Sequence, residues 1–386
     1  MEKIKIAYFH HVTDISGGEI MLVELLRNLN KEIFEPIVIL PDRGELYQRI
    51  RELGIETIAI NFRPLRKKNP LPFFQTIIEL YRIIKMETKV DIISPDTYNL
   101  NRYTVIVSKL AGIPCICHVN LVVQAREVIS NFLLKWVDII IPASRAVANS
   151  LVNYGIPESK IHTIHPSIDV AKFRREPDIG KSLRREFSIK DSDYLVGIVG
   201  MIHPQKGHHI LIDAIDRVNK LINKEVYLLI VGYDDGSQSH WTNKEYIKYL
   251  KEKIKEKKAE DQIFFAGFRK NMSIVYNALD LLVVPSICED ACPIVQLEAM
   301  ATETPVIATN VGGIPEVNEH NKTGVLVKPN DPVGLCNAVL DLKDNKTKVR
   351  RITANARKRI ESQFNVKKKT LEHEDLYWKL IRRKLN

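Results

Sequence analysis

Pro285-Ser-Ile-Cys-Glu-Asp290-Ala-Cys-Pro-Ile-Val295-Gln-Leu-Glu-Ala-Met300-Ala-Thr-Glu-Thr-Pro305-Val-Ile-Ala-Thr-Asn310-Val-Gly-Gly-Ile-Pro-Glu316 follows a short apolar run, Leu281 to Val284. A run of that length, apolar throughout, is the pattern of a parallel strand buried on both faces. The polar residues after it therefore lie at a carboxyl strand end, where open α/β sheets bind ligands. Pro293 suits the first turn of a helix, and Ile294, Val295, Leu297, Met300 and Ala301 supply its buried face. The free N–H groups of such a helix start, at the positive pole of its dipole, bind phosphate. Asp290 lies in the loop before the helix and Glu298 about a turn and a half inside it, so both are placed to reach one ligand. Carboxylates beside a phosphate site suit hydroxyl groups, and phosphate with hydroxyls describes a sugar nucleotide. The plainer reading is a strand, loop and helix of any α/β protein with solvated carboxylates.

Working outward, the chain of 386 residues is long enough for two domains, each with its own core. An apolar content of 45% with 27% charged residues fits a soluble globular protein. No apolar run has the length of a membrane span, and Met1 to Phe9 leads directly into a strand, so a cytoplasmic protein without a signal peptide is expected. Cys115, Cys117, Cys288, Cys292 and Cys336 lack the paired spacing of a zinc site, and reduced, small buried thiols are expected, including Cys288 and Cys292. The net charge of +10 suits an anionic partner. No zinc finger, aromatic RNA-binding signature or helix-turn-helix accompanies it, which argues against nucleic acid.

Strands are expected at Ile4–Phe9, 37–40, 57–60, 92–94, 115–119 and 139–142, with helices between them, which is a parallel sheet covered on both faces. Gly17 and Gly18, between the first strand and an apolar-faced helix, form either a simple tight turn or an anion site. His118 ends the fifth strand. From Phe62 to Phe74, Arg63, Arg66, Lys67 and Lys68 alternate with large apolar residues. This segment reads equally as a solvated loop or as a stretch lying on an anionic membrane surface. The polar stretch Arg174–Asp193 reads as an interdomain linker. A second α/β series starts at Tyr194–Val199, followed by a loop in which Lys206 precedes Gly207 at the strand end, a position suited to phosphate. Further strands are expected at Val226–Val231, 263–266, 281–284 and 323–327, and a charged helix over Asn243–Lys258. Lys368–Leu385 carries an amphipathic pattern.

Over nearly its whole length the chain resembles the retaining GT-B glycosyltransferases of the large family four, the glycosyl transferases group 1. Asp290 and Glu298, separated by seven residues before Glu298-Ala-Met-Ala, match that family's paired acids, with Asp290 where the family usually has Glu. Lys206-Gly207 matches its Lys-Gly, with Met201 where an arginine is usual. The resemblance implies two doubly wound Rossmann-like α/β domains facing a cleft. Residues 1–175 would form the acceptor-binding domain, 190–367 the nucleotide-sugar domain, and helix 368–386 would cross back to the first. It implies that Gly17, Gly18, Lys206, Phe268, Arg269, Asp290, Ile294, Val295 and Glu298 bind the donor. Within that set, Phe268 and Arg269 lie at the base, Glu298 at the ribose and Asp290 at the sugar, where with His118 it assists catalysis.

The expected activity is transfer of a sugar from a nucleotide-diphosphate sugar to a lipid-linked or polysaccharide-precursor acceptor, with retention of configuration. The nucleotide sugar serves as co-substrate, with no further cofactor. No metal is expected, because Asp234-Asp235 is not placed for a diphosphate-bound cation. Docking through Arg63, Arg66, Lys67 and Lys68 would bring the protein to the inner membrane face. A nucleotide-sugar epimerase or hydrolase and a non-catalytic sugar-nucleotide-binding subunit are the alternatives.

Overall fold

The computed structural model describes residues 2–66, 68–122, 132–222, 225–233 and 244–385. Lys67, Asp234, Asp235 and Asn243 lie outside the described residues. The chain divides into two compact units, Met1–Pro166 with Val366–Asn386, and Ser167–Asn365.

The first unit is built on β1 (Ile4–Phe9), β2 (Phe34–Leu40), β3 (Glu56–Ala59) and β4 (Ile92–Pro95), hydrogen-bonded in the order β3-β2-β1-β4 with every pairing parallel. A backbone bridge from Ile93 to Cys115 continues this arrangement towards β5 (Ile116–Val119), which pairs in parallel with β6 (Ile139–Pro142). After β1 the chain lays down β2 and β3 on one side, then returns to place β4 on the other. The carboxyl ends of β1 and β4 thus flank a topological switch point, the usual ligand position of this architecture.

The helix Val366–Leu385 closes the same unit. Its Leu376, Tyr377 and Leu380 enter a core that includes Tyr8, Phe34 and Leu26. The Tyr8 and Tyr377 hydroxyls are 3.0 Å apart, and the Asn30 amide donates to Glu374 at 2.8 Å. The amphipathic pattern therefore has its apolar face buried within the first unit.

The second unit holds β7 (Tyr194–Val199), β8 (Val226–Val231), β9 (Ile263–Gly267), β10 (Leu281–Val284), β11 (Val306–Thr309) and β12 (Val325–Val327), in the order β12-β11-β10-β7-β8-β9. Side chains of a strand alternate between faces, and here both faces are apolar. Val196, Ile198, Leu228, Ile230, Leu281 and Val283 pack in one cluster. Leu195, Leu229, Val231, Leu282 and Val284 pack in the other. That two-sided burial is why these strands read as continuous apolar runs. The switch point of this unit lies between β7 and β10.

The stretch Arg174–Asp193 is not a linker. It contains the helix Pro177–Glu186, which packs within the second unit. A Cβ added to Gly180 would lie 2.4 Å from the amide nitrogen of Ala278, so this helix meets that backbone closely. Arg184 donates to the carbonyls of Ala278 at 2.8 Å and Lys190 at 2.9 Å, and to the Asp280 carboxylate at 2.6 Å. The high density of charges concealed a short apolar face, Leu183 and Ile189, that joins the core.

Candidate functional site

In the second unit, the loops leaving β7 and β10 meet at the switch point. After β7, Pro204–Lys206 make one 3-10 turn and Gly207 reverses the chain into the helix His208–Leu221 with φ of 72°. A Cβ at Gly207 would stand 1.9 Å from the Pro285 carbonyl oxygen, so both the backbone angle and the close approach require glycine. The loop after β10 is clamped further. The Ile287 amide donates to Gln205 O at 2.9 Å, Thr309 Oγ1 to Ser286 O at 2.6 Å, and the Gly313 amide to Asp290 O at 2.8 Å.

This scaffold brings together two of the predicted residues. Lys206 Nζ donates to Asp290 Oδ2, which also accepts from Ser286 Oγ at 3.1 Å. The lysine side chain is 31% exposed and that of Asp290 16%, so the pair borders solvent.

Glu298 has a separate environment. It lies on the helix Ile294–Ala301, is 4% exposed, and accepts from the Tyr276 hydroxyl at 2.7 Å. Burial pushes its carboxyl up to about 7, with the Tyr276 hydrogen bond acting in the opposite direction. The folded protein thus holds the proton more tightly than the unfolded chain, whose carboxyl titrates near 4.5. The cost of ionising Glu298 on folding is absent below pH 4.5 and grows as pH rises towards 7, so stability falls across that window. Glu298→Gln keeps an acceptor for Tyr276 and removes the cost. The variant is therefore expected to gain on wild type between pH 4.5 and 7.5, by up to about 3 kcal/mol. Urea midpoints at the two ends of the range measure this, and an unchanged gap would mean that Glu298 titrates normally.

Ile294 and Val295 form the first turn of that helix and pack partly buried on the core. Phe268 is 42% exposed and stacks on Tyr233, centroids 4.4 Å apart and rings 3° from parallel. The Arg269 side chain is held by Ala266 O at 2.8 Å and by Glu186 at 3.0 Å. Cys288 departs from expectation: it is exposed, whereas Cys115, Cys117, Cys292 and Cys336 are buried. It lies in the loop before the helix, outside the packed strand and helix.

In the first unit the switch point carries a charged cluster. His10, just past β1, is 3% exposed and places Nε2 3.1 Å from Asp96, just past β4, and 3.2 Å from Glu19. Its Nδ1 faces Val12 O at 3.2 Å. Burial acts to lower the imidazole value, but Asp96 and Glu19 outweigh it, and the value is raised. Glu19 also accepts from the Ser16 amide at 2.8 Å, closing a capping box on the helix Gly17–Asn28. Gly17 and Gly18 open this helix, and a Cβ at Gly18 would meet nothing within 4 Å. Packing therefore does not demand glycine at position 18. His118 is the penultimate residue of β5, is 8% exposed, and stacks on His373 of the helix Val366–Leu385, with centroids 5.1 Å apart. Burial lowers the His118 value. His10, Glu19, Asp96, His373 and Tyr276 had not been singled out from the sequence. His10 and Asp96 carry the same signal as His118, a polar residue at a strand end.

The sequence profile described as Glycosyl transferases group 1 matches residues 181–359, and that described as Glycosyltransferase Family 4 matches residues 15–172. The chain is 24% identical to UDP-Gal:alpha-D-GlcNAc-diphosphoundecaprenol alpha-1,3-galactosyltransferase of Escherichia coli, over 98% of each protein. It is 26% identical to N-acetyl-alpha-D-glucosaminyl L-malate synthase of Bacillus anthracis, over 65% of this chain and 62% of that one. Anabaena HepE, solved with UDP and glucose, superposes with a TM-score of 0.86 at 21% identity, covering 97% of this chain and 99% of that chain. The two profiles fall one on each half and together span most of the chain, so the chain belongs to the glycosyl transferases of group 1, and the likeness to HepE along its length shows the two-domain, Rossmann-like GT-B fold.

Proposed function

We propose that the protein transfers a sugar from a nucleotide-diphosphate sugar to a hydroxyl of a lipid-linked or polysaccharide-precursor acceptor, with retention of anomeric configuration. The observation that carries this reading is the Lys206–Asp290 pair at the second unit's switch point, a cation and a carboxylate at the edge of solvent on two clamped loops. Lys206 turns to the donor diphosphate and stabilises the charge that develops as the nucleotide leaves. Asp290, released from the lysine, accepts hydrogen bonds from the hydroxyls of the donor sugar. The start of the helix Ile294–Ala301 adds N–H donors to the diphosphate, and Ile294 and Val295 contribute their backbone amides. Glu298 takes the ribose hydroxyls, and the backbone at Phe268 and Arg269 takes the base. In the first unit, Gly17 and Gly18 leave room for close approach of the substrates, and His118 assists at the reacting centre. No side chain is assigned as a covalent nucleophile, because attack on the face vacated by the leaving group retains configuration without one.

The names of the relatives support the choice of substrates to test. The Escherichia coli protein is described as using UDP-galactose and a diphosphoundecaprenol-linked acceptor, and HepE was solved with UDP and glucose. The experiment is incubation with UDP-galactose, UDP-glucose or UDP-N-acetylglucosamine and a polyprenyl-diphosphate-linked GlcNAc. Product formation is followed by mass spectrometry and the new anomer by NMR. An α-linked product from an α-donor is expected. A β-linked product overturns retention, donor consumption that ignores the acceptor favours an epimerase or hydrolase, and binding without turnover favours a non-catalytic subunit.

A further inference from the structure

The helix Leu71–Tyr81 has two apolar faces rather than one. Phe73, Thr76, Ile77 and Leu80 are buried within the first unit, and Phe73 lies 5.2 Å from the ring of Tyr103. On the other side Leu71, Phe74 and Ile78, spaced three and four apart and so on one stripe of the helix, are 61%, 54% and 67% exposed. Gln75 and Glu79 share this outer side, and three large apolar side chains in one exposed row beside them mark a surface for contact. Just before it, Leu65 is 45% exposed, and just after it Met86 is 66% exposed.

The charge around this stripe indicates what covers it. Between Phe62 and Lys89 the sequence has seven basic residues and two acids, Glu79 and Glu87, so this segment carries half of the chain's net charge of +10. Arg66 and Lys68 are exposed on the approach to the helix, and Arg82 and Lys85 are exposed where it ends. Arg82 is paired with Glu87 at 3.0 Å, and the Lys85 ammonium donates to Ala111 O at 3.0 Å. Exposed leucine, phenylalanine and isoleucine with a basic collar at both ends are complementary to an anionic bilayer surface, where apolar side chains enter the acyl boundary and cations meet the headgroups. A second copy of this chain offers no such match, since two faces of the same positive charge repel. Among the described residues no helix is long and apolar enough to cross a membrane, so the contact is with one leaflet.

We infer that the outer stripe of this helix, Leu71, Phe74 and Ile78 with Arg66, Lys68 and Arg82 beside it, is a docking surface for an anionic lipid leaflet. The inference extends beyond the transfer reaction and does not depend on the identity of donor or acceptor. The test is co-sedimentation of the full chain with vesicles of phosphatidylcholine alone, or of equal parts phosphatidylcholine and phosphatidylglycerol. Wild type is expected to pellet with the anionic vesicles and to be released by high salt. The triple variant Leu71→Ser, Phe74→Ser, Ile78→Ser is expected to lose at least about tenfold in partitioning, with unchanged circular dichroism and melting because all three side chains are exposed. Arg66→Glu with Lys68→Glu is expected to abolish the preference for phosphatidylglycerol. Equal partition to neutral and anionic vesicles, or equal binding by the serine variant, overturns the inference. A dimer in sedimentation equilibrium that the serine variant dissolves, without vesicle binding, also overturns it in favour of a second copy. Vesicle binding is read without substrate, so failure of the proposed reaction leaves this result standing.

Discussion

Lys206→Met is expected to lower turnover by about 10²- to 10³-fold, the scale of losing one preorganised group that stabilises developing charge in a transition state. The effect is large because the loop Gly200–Gly207 after β7 holds one lysine and no arginine, which leaves Lys206 as the cation that this loop places. Stability should change little, because an ion pair open to solvent contributes only about 0–1 kcal/mol, and this pair has side chains 31% and 16% exposed. A competing explanation is that Lys206 merely holds Asp290 in place. Asp290→Asn separates the two. If Lys206 acts only through Asp290, the double variant is no worse than either single one; if each touches the donor, the losses accumulate. Turnover at saturating donor is the measurement, and a Lys206→Met enzyme within threefold of wild type would remove the diphosphate role.

Gly207→Ala is expected to be among the most damaging single-methyl additions in the chain, costing about 3 kcal/mol or more through combined overpacking and backbone strain. Its φ of 72° disfavours any side chain, and the added Cβ would stand 1.9 Å from the Pro285 oxygen, a backbone atom that cannot swing aside. The loop from Pro285 to Asp290 would have to shift, carrying Asp290 away from Lys206, so activity should fall with stability. Gly18→Ala is the matched contrast. Nothing lies within 4 Å of a Cβ there, and alanine in a helix is better than glycine by about 1 kcal/mol. That variant should therefore fold at least as well as wild type while weakening substrate binding. Urea midpoints for the pair test both statements, and a Gly207→Ala protein as stable as wild type would show that the loop yields without cost.

The α/β class and the positions of the strands were legible because parallel strands buried on both sides leave continuous apolar runs such as Leu281–Val284. Lys206 and Asp290 were each legible as strand-end polar residues, but not as partners. They are 84 positions apart, and their meeting depends on β10 lying next to β7, a fact of sheet order that no local pattern carries. The same holds for His10 and Asp96, joined because β4 lies beside β1. Glu298 was visible in a motif, whereas its burial and its tie to Tyr276 arise from tertiary packing. At Arg174–Asp193 the charges dominated the reading, and the spacing of Leu183 and Ile189 was too short a signal to stand against them.

The position of Tyr377 against Tyr8 bears on how the protein is made. At about 5–20 residues per second, synthesis takes roughly 20 to 75 s to reach position 377, and until then the β1 side of the first unit lacks Leu376, Tyr377 and Leu380. The second unit lies wholly between the two pieces of the first and has its own cores. Order of emergence from the ribosome and order of completion are thus reversed: the part translated first is the part finished last, and it waits with apolar surface uncovered while its successor folds.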